Sequence, residues 1–211
     1  MSKASGSPPL PTPNPNVLLL FAPGAGAPSS SPWMVETAAR LARIGAVECF
    51  DYAYQREGRR SPDRQPALVA AHREALEQAR AKHPGPFVLI GKSMGSRMGC
   101  HLSLELDEKP LALVCLGYPL VGQNGSVRDQ VLLELETPVL FVQGTRDVMC
   151  PPERLTEVRK RMRAPNELCS IEGGDHSLQV RKRQLTEQKT TQTAIDEHIA
   201  ETIASFVRAR A

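Results

Sequence analysis

Aromatic residues are scarce in this chain: its 211 positions hold one Trp, three Tyr and five Phe. Surfaces that bind nucleic acid by base stacking interleave rings with basic side chains, and too few rings are present to line one. A dominant charge is also lacking. The formal net charge is +3, too small to argue for a polyanionic partner. Two basic clusters, Arg56 to Arg64 and Arg181-Lys182-Arg183, contain no aromatic residue. They read as solvated surface, and no nucleic-acid partner is expected.

Long apolar runs are missing as well. A membrane-spanning helix needs roughly 18 or more consecutive apolar residues, whereas the longest run near the start, Val17 to Ala22, has a strand's length. The first residues lack the apolar stretch of a secretory signal, so the expected address is intracellular, cytoplasmic or nuclear. Five cysteines are widely spread, with no CxxC pair and no Cys/His cluster at zinc-binding spacing. Neither a disulfide framework nor a structural metal is indicated, and a reducing compartment fits. Cys49, Cys100, Cys115 and Cys169 sit in or beside apolar runs and are expected to be buried. Cys150, next to two prolines, is expected to be more exposed.

What the chain does have is a regular alternation of short apolar strands and amphipathic helices. Residues 1 to 16, with five prolines, read as a Pro-rich tail. From Val17 to Ala211 a single domain is expected. Strands are predicted at Val17–Phe21, Val47–Phe50, Phe87–Ile90, Leu111–Leu116, Val139–Val142 and Glu167–Ile171. Helices are predicted over Met34–Ile44, from Pro66 to just before His83-Pro84, Ser93–Leu106, Pro152 to about Met162, and Thr193–Val207. Gln55 to Gln65 reads as a polar loop. This order implies an α/β fold: a mostly parallel sheet of about six strands with helices on both faces. In such sheets ligands sit beyond the carboxyl ends of the strands, which makes the residues just after each strand informative.

One such position carries Gly91-Lys92-Ser93-Met94-Gly95. Gly-Lys-Ser resembles the end of a phosphate-binding loop, but that loop needs a glycine five residues before Gly91 and a wrapping segment between them. Pro86 stands there instead, and the four intervening residues, Phe87 to Ile90, are the strand itself. No nucleotide cofactor is indicated. Gly91-x-Ser93-x-Gly95 instead fits a turn that projects a serine nucleophile between strand and helix, where small residues two before and two after permit close packing.

A serine nucleophile needs a base and an acid. Asp147 follows the Val139–Val142 strand in Gln143-Gly-Thr-Arg-Asp147. Of the five histidines only His176 lies in a glycine-rich loop after a late strand, Glu172-Gly-Gly-Asp-His176. Asp175 is a second possible acid, but adjacency to His176 suits it better to holding the loop. For an oxyanion, backbone donors are expected at Met94 and at Ala25, the latter in the loop Ala22-Pro-Gly24-Ala25-Gly26-Ala27. Gly24, Gly26, Gly91 and Gly95 would shape these two turns. No metal enters this chemistry.

Gly91-Lys-Ser-Met-Gly95, Gly144-Thr-Arg-Asp147 and Gly173-Gly-Asp-His176 together resemble the α/β-hydrolases, from Val17 onward. FAPGAG at 21–26, GKSMGSR at 91–97, QGTRD at 143–147 and GGDHS at 173–177 resemble more narrowly a small hydrolase-like group. It includes testis-expressed protein 30 and the hydrolase-like region of the third regulatory subunit of the NSL histone-acetyltransferase complex, and is distantly similar to dienelactone hydrolases. The resemblance implies a Ser93, Asp147 and His176 triad acting on a small or surface-presented acyl ester or thioester. A binding or scaffold protein with a protein-complex partner is the alternative it leaves open. The chain departs from larger hydrolases in lacking two leading strands and a cap; Gly117 to Leu135 is the one place for an insertion, and it is short. An open, shallow site is therefore expected, with Arg56, Arg59 and Arg60 as possible rim residues. No extra apolar stripe marks an interface, and a monomer is expected.

Overall fold

The computed structural model describes residues 16–122 and 124–211. All but Asn16 of the Pro-rich tail expected at residues 1 to 16 lies outside the described residues. Six strands form one sheet: β1 (Leu18–Ala22), β2 (Ala46–Cys49), β3 (Phe87–Lys92), β4 (Ala112–Leu116), β5 (Val139–Gly144) and β6 (Asn166–Ile171). They are ordered β2-β1-β3-β4-β5-β6, and every pairing is parallel.

Inner parallel strands joined by helical crossovers are covered on both faces, so β1 and β4 are apolar throughout, while the edge strands β2 and β6 carry polar residues. In β1, Leu18 and Leu20 face one core and Leu19 and Phe21 the other; in β3, Phe87 and Leu89 part from Val88 and Ile90 in the same way. On the first face pack α3 (Gln65–Lys82), α4 (Met94–Glu105), α5 (Gln130–Glu134) and α6 (Pro152–Arg161), through Leu68, Leu76, Met98, Leu102, Leu132 and Leu155. The second face is sealed by α1 (Pro32–Leu41) and α8 (Gln192–Arg208), through Met34, Leu41, Ile199, Ile203 and Phe206. Local chemistry sets the helix starts. Proline occupies a first-turn position in α1, α3 and α6, where its missing N–H costs nothing. The Thr191 hydroxyl accepts from the Ala194 amide at 3.1 Å to cap α8.

The expected polar loop from Gln55 to Gln65 is in part helical. A single turn, α2 (Ala53–Arg56), ends in it and buries Tyr54. A short α7 (Lys182–Glu187) also forms inside the second basic cluster, where Arg183 stays solvated and pairs with Glu187 at 2.8 Å. The cysteine expectation is inverted at two places. Cys49 is exposed, because it ends the edge strand β2, while Cys150 is fully buried under the loop after β5. Burial, reinforced by the nearby Asp147 charge, pushes the Cys150 thiol up to about 12. Between Gly117 and Leu135 the described residues make the bridge Val121–Val127 and α5, and no cap domain is inserted.

The sheet grows outward in both directions from β1. Chain order runs from β1 to β2 on one side, then returns to β3 on the other. The loops leaving β1 and β3 therefore diverge to opposite faces, which opens a crevice at their carboxyl ends.

Candidate active site

Ser93 stands at that crevice, in the turn between β3 and α4. Its backbone has φ 50° and ψ −113°, a conformation that costs a non-glycine residue about 1–3 kcal/mol. Neighbouring packing enforces it. A Cβ on Gly91 would overlap the Ser96 amide, and one on Gly95 would come within 2.6 Å of the Ala22 and Pro23 carbonyls. The Ser93 amide donates to the Leu116 carbonyl at 2.9 Å, and the Ser96 hydroxyl to the Ser93 carbonyl at 2.6 Å. The turn is thus clamped between β1, β4 and its own helix.

His176 Nε2 lies 2.8 Å from Ser93 Oγ, and His176 Nδ1 lies 2.7 Å from Asp147 Oδ2. Asp147 is 2% exposed. Its Oδ1 accepts from the Met149 amide at 2.8 Å, and Gln143 Nε2 donates to Oδ2 at 2.5 Å. Burial alone would raise this carboxyl. The hydrogen bond and charge of His176, with the Met149 amide and Gln143, outweigh it and hold the group below its ordinary value. The acid therefore stays ionised and keeps the histidine proton on Nδ1, leaving Nε2 free to accept from the serine. Asp175 holds the histidine loop rather than the imidazole. Its Oδ1 accepts from the Ser177 and Gln179 amides at 2.8 and 3.0 Å, which folds the segment that carries His176.

The acid and histidine loops are fastened to each other. The Arg146 amide donates to the Gly174 carbonyl at 2.9 Å, and the Gly173 amide to Thr145 Oγ1 at 2.8 Å. A Cβ on Gly144 would overlap the Gly174 carbonyl, so the two loops meet backbone to backbone.

Ala25 and Gly24 lie beside Ser93 in the loop after β1. Among the described residues no hydrogen bond engages the amide of Ala25 or of Met94. Three carbonyls of the same loop are held from behind. Tyr54 Oη donates to the Ala25 carbonyl at 2.9 Å, and Gln55 Nε2 to those of Gly24 and Ala27 at 3.0 and 2.9 Å. With its carbonyls tied back to α2, the loop leaves its amides for a ligand. Tyr54 and Gln55 are not legible in the sequence as supports of the site, since the segment carries no helical periodicity and only Gln55-Arg-Glu-Gly polarity.

Lys92, an arbitrary position of the serine turn by sequence, is built in. Its side chain is buried, and Nζ donates to the His176 carbonyl at 2.5 Å. Burial, partly offset by the charges of Asp147 and Asp175, pushes the ammonium down to about 8. Gly117 makes room: at φ +63° it approaches so closely that a Cβ would fall 2.6 Å from the His176 carbonyl. Gln143 is equally silent in the sequence. It bridges the acid to the segment after β4 by accepting from the Tyr118 amide at 3.0 Å.

A cavity of about 760 Å³ opens beside Ser93, Ala25 and His176. Its apolar wall includes Trp33, Met34 and Met149, and its far rim Arg40, Gln192 and Asp196. The starts of α1 and α8, not an inserted cap, form its walls. Arg56, Arg59 and Arg60 do not line it. Arg56 donates to the Asp51 carbonyl, and Arg59 pairs with Glu57 and Asp63; Arg40 is the arginine at the cavity instead.

The same architecture recurs in solved structures. A serine hydrolase homologue from Coxiella burnetii superposes with a TM-score of 0.69 at 17% identity, covering 95% of this chain and 89% of that one. Dienelactone hydrolase from Anabaena variabilis gives 0.69 at 18% identity, covering 94% and 89%. A lidless serine hydrolase from Xanthomonas campestris gives 0.67 at 17% identity, covering 95% and 86%. At such identities the likeness is one of fold. Residues 15–208 match the family described as alpha/beta hydrolase domain, and the chain belongs to that family.

Proposed function

We propose that the protein is a serine hydrolase that cleaves small carboxylic esters or thioesters through an acyl-enzyme, with Ser93 as nucleophile, His176 as base and Asp147 as acid. The observation that carries this reading is the continuous chain from Asp147 Oδ2 through His176 to Ser93 Oγ, ending at a cavity of about 760 Å³. As Ser93 Oγ attacks the acyl carbon, His176 Nε2 takes its proton, and the negative charge forming on the carbonyl oxygen is met by the Ala25 and Met94 amides. Collapse of this adduct breaks the bond to the leaving oxygen or sulfur, which receives the proton from His176. Water then repeats the sequence on the acyl-serine and releases the carboxylic acid.

The four motifs named above also support kinship with the small hydrolase-like group that includes testis-expressed protein 30. In that reading residues 17–211 act as one domain and as a monomer. Five unbridged cysteines suit an intracellular setting. A fluorophosphonate probe tests the nucleophile: wild-type protein is expected to be labelled and Ser93→Ala not. Folded wild-type protein that resists labelling would speak for a binding or scaffold role and against hydrolysis.

A further inference from the structure

A second cavity, of about 470 Å³, lies against the side of α4 and shares no lining residue with the one beside Ser93. Arg97, on the turn after the nucleophile, and Arg128, on the segment before α5, both line it. Arg97 Nη2 donates to Gln65 Oε1 at 2.5 Å, while its Nε is buried without a partner. Among the described residues neither Arg97 nor Arg128 pairs with a carboxylate, and no hydrogen bond engages the Arg128 guanidinium. Elsewhere Arg40, Arg43, Arg73 and Arg80 each reach one. His101, also in the lining, has its Nε2 buried and unpartnered.

Two guanidinium groups facing one cavity repel each other, and a half-buried one without a counter-ion is costly. Burial, with Arg128 adding to it, indeed disfavours the charged form of Arg97. An anion between them removes both penalties, and the planar fork of each arginine suits a two-oxygen acceptor. Glu134 at the mouth is exposed and engaged by Gln130 at 3.2 Å, so solvent screens its charge. The remaining wall is apolar: Leu104, Val127 and Val131, of which Val127 is an exposed large hydrophobic.

We propose that this cavity binds a small organic oxyanion, a carboxylate or a phosphomonoester, with its charged head between Arg97 and Arg128 and its apolar body against Val127 and Val131. Calorimetric titration with benzoate and with phenyl phosphate tests this and separates the two head groups. At least one is expected to bind with a Kd of about 1 mM, some 4 kcal/mol, and to weaken as sodium chloride is raised. Arg128→Gln is expected to weaken binding at least ~10-fold while leaving its circular dichroism, unfolding temperature and any ester hydrolysis unchanged. Val127→Asp, which sets a negative charge at the mouth on an exposed position, is expected to weaken it too. The proposal is overturned if neither compound binds, or if both variants bind as wild type, which would move the binding to the cavity beside Ser93.

Discussion

Replacing Lys92 with Met removes a buried cation from behind His176, and the outcome depends on pH in a way the structure sets. Burial lowers the ammonium from its ordinary 10.5 to about 8, which corresponds to about 3 kcal/mol of folding free energy spent on keeping it charged. The unfolded chain holds this proton up to 10.5, whereas the folded chain releases it near 8. Between these values the unfolded state binds more protons, so the Lys92 contribution to stability rises with pH, and below 8 the full penalty is present. At pH 7 Lys92→Met sheds that penalty but strips the His176 carbonyl of its charge-assisted hydrogen bond, a loss of about 1.5–3 kcal/mol. The two nearly cancel, so the variant is expected within about 1 kcal/mol of wild type at neutral pH. Urea unfolding at pH 7, 8, 9 and 10 reads both. Wild type is expected to gain on the variant as pH rises, by up to about 3 kcal/mol. Hydrolysis should fall even so, by about ten- to a hundredfold, because His176 loses the anchor on its backbone. Parallel stability curves across the pH range, or a variant several kcal/mol weaker at pH 7, would refute the reasoning.

Three further outcomes follow from contacts around the site. Asp147→Asn should lower kcat by about 10⁴ with little change in fold. An NH2 at Oδ2 meets the Gln143 Nε2 donor and one at Oδ1 meets the Met149 amide, so in either orientation the amide loses the charge and the paired acceptors that hold the His176 proton on Nδ1; ester hydrolysis and the His176 nitrogen signals in NMR check this. Gln55→Ala frees the Gly24 and Ala27 carbonyls of the loop after β1. Its expected effect is on kcat, by about 10- to 100-fold, with KM little moved. Gly95→Ala drives a methyl group against the Ala22 and Pro23 carbonyls, and circular dichroism on heating should show a loss of at least about 2 kcal/mol or failure to fold.

The parts of the fold legible in the sequence are those governed by local pattern. The inner strands appear because their runs are apolar on both faces, and Ser93 could be placed because the glycines flanking it answer a steric need confined to five residues. Asp147 and His176 were legible as residues of the loops that follow two strands of one parallel sheet. Lys92, Tyr54 and Gln55 were not, because their partners lie 84, 29 and 28 to 31 residues away along the chain; Gln143, four residues before Asp147, is fixed in its role by the Tyr118 amide, 25 residues away. Nothing near them in sequence distinguishes such a contact from a solvated polar side chain. Cys49 and Cys150 were misjudged for a related reason: burial in this sheet depends on strand order, and only the assembled order puts β2 at an edge.

The walls of the cavity beside Ser93 have another consequence. In a hydrolase with an inserted lid, the region that selects the substrate is separable from the region that keeps the sheet folded. Here both are the same two helices. Trp33 and Met34 face the cavity while packing in the second core, and Arg40 ties α1 to Glu197 on α8 at 3.1 Å. A change that reshapes the pocket therefore also loosens or tightens the seal over one face of the sheet. Substrate range in this chain can drift only as far as the α1–α8 clasp tolerates.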